Sequence, residues 1–210
     1  MEFQVWLAFV AASTALLMIP GPTILLVMSY ALSHGRRVAI ATATGVALGD
    51  LIAMSASLAG LGALVLASAT LFTAIKWIGA VYLIWMGIKL IRTASEHSGV
   101  DLNSSSRLPG RGVFGHAAAV TALNPKSIVF FIAFVPQFIN PAADLLPQFG
   151  ILISTFVGLA AINALAYALL ADQLRARISS PSVLAWLSRC GGGALIALGI
   201  ATATLRRSTS

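Results

Sequence analysis

The chain has 210 residues, 59% hydrophobic and 9% charged, with a formal net charge of +7. Soluble domains carry about 25% charged residues, so this composition, with a mean hydropathy of +0.94, excludes one. The apolar runs are also too long and too continuous for an outer-membrane barrel, whose strands alternate polarity over about ten residues. An all-α integral membrane protein is expected.

A spanning helix needs roughly 20 apolar residues. Six stretches reach or approach that length: 3–31, 38–66, 72–91, 112–135, 148–170 and 183–205. The first follows Glu2, and no Lys or Arg precedes Arg36. The basic start of a secretory signal is therefore missing, and the run reads as a retained span. It is interrupted by Pro20-Gly21-Pro22. The second run carries Asp50, roughly 18 Å along the helix from Val38 by helical rise. The third carries Gly79 and Gly87 and ends on Lys89. A polar linker rich in Ser, Gly and Asn occupies 93–111. The fourth run is broken at Asn124-Pro125-Lys126, the fifth carries Asn163, and the sixth begins around Cys190 and Gly191-Gly192-Gly193.

A proline within a helix removes a backbone donor and clashes with the preceding turn. Lipid cannot satisfy the freed groups, so such breaks survive where protein or a wet cavity surrounds them. Paired broken helices in corresponding positions point to a transporter's binding site. The halves do correspond: Pro22 aligns with Pro125, the segment from Gly45 to Asp50 with that from Gly158 to Asn163, and Gly79 and Gly87 with Gly191 and Gly199. Three spans per half force opposite orientations, which predicts two inverted three-helix repeats, 1–92 and 112–210, joined by the linker 93–111.

The basic residues mark the orientation. Arg36 and Arg37 follow the first run, Lys89, Arg92, Arg107 and Arg111 bracket the linker, and Arg175 and Arg177 follow the fifth run. The alternate connections hold only Lys76 and the tail's Arg206 and Arg207. By the positive-inside rule the first, third and fifth loops are cytoplasmic, and both termini lie outside. This dispersion also removes any nucleic-acid reading of the net charge. One cysteine, Cys190, excludes an internal disulfide or a two-thiol redox carrier. His34, His97 and His116 have no metal-ligand spacing, and no phosphate loop or catalytic triad occurs. Neither an enzyme nor a cofactor is indicated.

The candidate site follows from the breaks and the rare mid-span polar residues. Pro22 and Pro125 suit the first position of a half-helix, and Asn124 is a strong cap. Exposed N–H groups there, with the positive end of the dipole, suit a carboxylate. Intramembrane charges are rare and by default functional. Asp50 fits a proton carrier or the counter-ion of an ammonium group. Lys126, in the first turn of its half-helix, opposes the dipole unless an anion, substrate carboxylate or Asp50, lies opposite. Asn163 is expected to donate a hydrogen bond to substrate or to the fourth span. The expected substrate-binding set is Pro20, Gly21, Pro22, Thr23, Asp50, Asn124, Pro125, Lys126, Ser127 and Asn163, with Asp50 also coupling protons. These residues alone leave a small-ion transporter open as the alternative.

Pro20-Gly21-Pro22, Leu48-Gly49-Asp50, the segment from Gly79 to Lys89, Leu123-Asn124-Pro125-Lys126 and Pro136-Gln137-Phe138 occur in order. Together they resemble the LysE/RhtB family of amino-acid exporters across essentially the whole chain. The resemblance implies export of an amino acid or close derivative across the bacterial cytoplasmic (inner) membrane, driven by the proton gradient. The implied partners are a small zwitterionic substrate, protons and the lipid bilayer. Self-association into a homo-oligomer is compatible with the sequence.

Overall fold

The computed structural model describes residues 1–19, 21–67, 69–95, 112–140, 143–171 and 181–204. Its elements are α1 (Phe3–Met18), α2 (Pro22–His34), α3 (Ala39–Ala67), α4 (Ala69–Arg92), α5 (Val113–Ala122), α6 (Pro125–Ala133), α7 (Leu145–Leu169) and α8 (Pro181–Thr204), with short 3-10 turns. No strand occurs among the described residues. The linker beyond Ser95 and Pro20 itself lie outside the described residues.

Both proline motifs break their helices. Helix α1 stops at Met18, Ile19 is extended, and α2 restarts with Gly21 as N-cap and Pro22 at its first position. Helix α5 stops at Ala122, and α6 restarts at Pro125 with Asn124 as N-cap. The two bends are 57° and 45°. Helix α6 ends at Ala133, short of the run read from sequence, because Pro136 enters a 3-10 turn over Val135–Phe138.

Ala39–Gly62 and Leu145–Leu169 are each long and apolar enough to cross a membrane, and counting each bent pair as one span gives up to four. Helices α4 and α8 pack together through glycine. A Cβ on Gly87 would lie 2.5 Å from the Gly192 carbonyl oxygen, and one on Gly192 equally close to that of Gly87. Small residues let helix backbones approach where lipid gives no hydrophobic drive. Helix α3 meets α5 in the same way: a Cβ on Gly45 or Gly49 would fall 2.5 Å from the carbonyl oxygen of Phe114 or Ala118. Gly158 of α7, the sequence counterpart of Gly45, has nothing within 4 Å.

Phe131 stands edge-on to Phe156 at 4.8 Å, Phe130 lies 5.2 Å from Phe134, and Phe9 lies 5.3 Å from Phe138. This aromatic core joins α1, α6 and α7 beside the breaks. Gln148 clamps the turn before α7, accepting from the Asn140 amide and donating to the carbonyls of Asn140, Ala143 and Asp144.

Candidate functional site

The breaks fall side by side. A void between them is lined by Gly21, Thr23, Asp50, Asn124, Lys126, Ser127 and Asn163, with Leu16, Leu17 and Thr121 among its apolar and polar neighbours. Seven of the ten residues expected from sequence therefore share one cavity. Pro22 and Pro125 do not line it; they act by ending one helix and starting the next. Pro20 lies outside the described residues.

The second break is held by its own cap. Asn124 Oδ1 accepts the Lys126 backbone N–H at 3.1 Å, which occupies a donor that the sequence reading left for a ligand. Asn124 Nδ2 donates to Thr23 Oγ1 at 3.1 Å, and Thr121 Oγ1 donates to the same oxygen at 3.4 Å. Thr23 lies in the first turn of α2, so these bonds pin one break to the other. All three side chains are buried.

The first break is held from its carbonyl end. The last carbonyls of a helix have no partner within it, and Ile19 turns away instead of continuing α1. Lys126 Nζ donates to the carbonyls of Leu16 at 3.1 Å and Ile19 at 2.9 Å. Asn163 Nδ2 donates to Leu17 at 3.1 Å, and Tyr167 Oη to Met18 at 3.3 Å. Four consecutive carbonyls are thus met by side chains from α6 and α7.

Two expectations change as a result. Lys126 is not paired directly with Asp50 among the described residues; it sits on backbone oxygen at the negative end of α1, where a helix dipole favours a cation. That contact resolves its conflict with the dipole of α6. Asn163 donates to the first span rather than the fourth. Gly21 leaves room for the ammonium, since a Cβ there would sit 3.4 Å from Nζ.

Asp50 is the unsatisfied member. It is only 2% exposed, and its Oδ1 has no hydrogen-bond partner. A buried polar atom left unpaired costs about 1–3 kcal/mol, more when charged. Gly49, the preceding residue, packs α3 closely against Ala118 and Thr121 of α5, which fixes the backbone that carries Asp50. The void beside it has room for about one or two water molecules.

Tyr167 and Thr121 were missed from sequence. Tyr167 is one helical turn beyond Asn163, so a hydroxyl on the same face was the available signal. A separate contact was also missed: Tyr30 Oη and His116 Nδ1 lie 2.9 Å apart, joining the end of α2 to the start of α5. His97 lies outside the described residues, and no group of metal-binding side chains occurs among the described ones.

Apolar helices, two pairs of them bent at breaks beside a small cavity lined by several polar side chains, define a helical membrane protein with paired broken helices. The chain belongs to the LysE type translocator family, whose profile matches residues 14–206. It is 35% identical over 209 residues to a homoserine/homoserine lactone efflux protein of Salmonella typhimurium, covering 99% of this chain and 100% of the relative. An uncharacterized membrane protein of Vibrio cholerae is 35% identical over 206 residues, covering 98% and 100%. A leucine efflux protein of Enterobacter sp. is 31% identical over 140 residues, 64% of each chain. No solved structure matches the chain.

Proposed function

We propose that this protein is a proton-coupled secondary exporter of a small amino acid or amino-acid derivative, working by alternating access across the bacterial inner membrane. The observation that carries the reading is buried Asp50, its Oδ1 without a hydrogen-bond partner, on the same cavity as Lys126 at two helix breaks, in a chain of a translocator family. Six membrane helices form two inverted repeats, 1–92 and 112–210, with the linker 93–111 in the cytoplasm and both termini outside. The matching N-terminal prolines of α2 and α6 support the repeat. The packing at the aligned glycines differs: Gly45 meets α5, while Gly158 lies on an exposed face of α7.

Asp50 carries the proton. A buried carboxyl without a partner is stabilised by binding either a proton or a cation, and the two exclude each other. Inward proton movement then drives outward substrate movement. The named substrates of the relatives, homoserine, its lactone and leucine, share a primary amine, while the lactone lacks a free carboxylate. The substrate class is accordingly a small primary α-amine, with or without a carboxylate. The smallness of the void favours a second reading, a small-ion transporter of the same architecture.

A metabolite survey of culture medium separates the two. Overexpression of the wild type should enrich one or a few amino acids outside the cell, and Asp50→Asn should remove the enrichment. Unchanged medium from cells with confirmed membrane expression would favour the small-ion carrier.

A further inference from the structure

The carbonyl end of α1 is built for a cation. Backbone carbonyls at a helix C-terminus carry the negative end of the dipole, and an ammonium has three donors and no acceptor. Here the cation is internal. Lys126 Nζ holds the Leu16 and Ile19 carbonyls at 3.1 and 2.9 Å, while Asn163 and Tyr167 keep Leu17 and Met18 satisfied. On the same void, Asp50 is 2% exposed with its Oδ1 unpartnered. Around Lys126 and Asp50, which both line the cavity, there are thus three acceptors: the Leu16 and Ile19 carbonyls that Lys126 covers and one carboxyl oxygen without a partner.

We propose that the C-terminal end of α1 is the ammonium subsite of the carrier, and that Lys126 is a displaceable latch occupying it in the empty state. The inference rests on the exporter reading and assigns the orientation of its substrate. A substrate's primary ammonium takes the Leu16 and Ile19 carbonyls and Asp50 Oδ1. The displaced Lys126 is then free to meet the substrate carboxylate, where there is one. Because latch and substrate present the same chemical group, the carbonyls stay satisfied throughout the exchange. Neither carbonyl is left bare, which keeps the exchange shallow in energy. Asn163 and Tyr167 are positioning residues: they hold the α1 terminus open toward the void by occupying the two carbonyls between those that Lys126 covers.

The latch also lowers the affinity of the empty carrier, because only the fraction with Lys126 displaced can bind. Removing it therefore has opposite effects on two ligand classes. For an amine without carboxylate, Lys126→Met removes a competitor and nothing else. For an amino acid, it removes the competitor and also the carboxylate's partner.

The test is calorimetric titration of the full chain in lipid nanodiscs with two series: L-leucine, L-leucinamide and N-acetyl-L-leucine, and L-homoserine, L-homoserine lactone and N-acetyl-L-homoserine. In at least one series, the wild type should bind the first two compounds and bind the N-acetyl compound at least about tenfold more weakly, since losing one charge-assisted bond is worth about a factor of ten or more. In Lys126→Met the amide or lactone should bind several-fold more tightly than in wild type, and the free amino acid more weakly. An N-acetyl compound binding as well as its parent overturns the ammonium subsite while leaving an exporter intact. Binding of none of the six overturns the exporter reading and the subsite together. Should Lys126→Met not fold, the wild-type ranking alone decides.

Discussion

Lys126 reaches out of the first turn of α6 to donate a 2.9 Å hydrogen bond to the carbonyl of Ile19, 107 residues earlier in the chain. Through this contact the start of one half-helix closes the end of another. It also alters what the Asp50 and Lys126 variants are expected to do. If the two formed a buried ion pair, removing the carboxylate would strand a cation, at about 3–5 kcal/mol. Lys126 has carbonyl partners instead, so Asp50→Asn should fold and insert normally. Equal thermal unfolding of wild type and Asp50→Asn in detergent checks this; a large loss of stability would restore the ion pair.

The carbonyl caps make separate stability predictions. Tyr167→Phe removes the donor to Met18, and Asn163→Ala the donor to Leu17. Each should cost about 1 kcal/mol, or up to about 3 where the carbonyl is left dry. Chemical unfolding in mixed micelles should show both losses. An unchanged Tyr167→Phe would mean that water replaces the hydroxyl.

Pro22→Ala and Pro125→Ala should let their helices run on. In Pro22→Ala, the carbonyls of Leu17, Met18 and Ile19 would gain N–H partners four residues on, competing with Asn163, Tyr167 and one Lys126 bond. The Leu16 carbonyl, four residues before Pro20 with its missing N–H, keeps Lys126. Insertion should persist, because hydrophobic length is unchanged, while export falls strongly. Full export by both variants would reduce the prolines to kinks.

The seam between α3 and α5 should be intolerant where its counterpart is not. Gly45→Leu must force α3 away from the Phe114 carbonyl, at a cost of about 1–3 kcal/mol. Gly158→Leu meets open space and should stay within about 0.5 kcal/mol of wild type. Melting temperatures of the two variants compare them directly. Equal destabilisation would show that the α3–α5 seam packs no more tightly than the exposed face of α7 that carries Gly158.

What sequence could reveal depended on whether the signal was local. The breaks were legible because Asn124-Pro125 and Gly21-Pro22 carry capping chemistry within two residues. Asp50 and Lys126 stood out because charge is rare in apolar runs. The partner of Lys126 was not legible, since a backbone carbonyl has no identity in sequence and any residue could supply it. The α3–α5 seam is half visible in sequence: Gly45 and Gly49, four residues apart in an apolar run, form a small-residue pattern of close packing, but nothing local says against which helix. The fourth run read to Val135 ends two residues beyond the α-helical end of α6 at Ala133, in the 3-10 turn that Pro136 enters.

The central claim is that Asp50 couples substrate export to proton movement, and reconstituted protein tests it most directly. Liposomes containing wild type or Asp50→Asn are given an imposed proton gradient, and movement of radiolabelled L-leucine and L-homoserine is followed with and without it. The account predicts gradient-driven accumulation by the wild type of at least one of the two. It predicts that Asp50→Asn, equally well folded, retains some gradient-independent exchange and loses the response to the gradient. Accumulation by Asp50→Asn that follows the gradient as fully as wild type would contradict it.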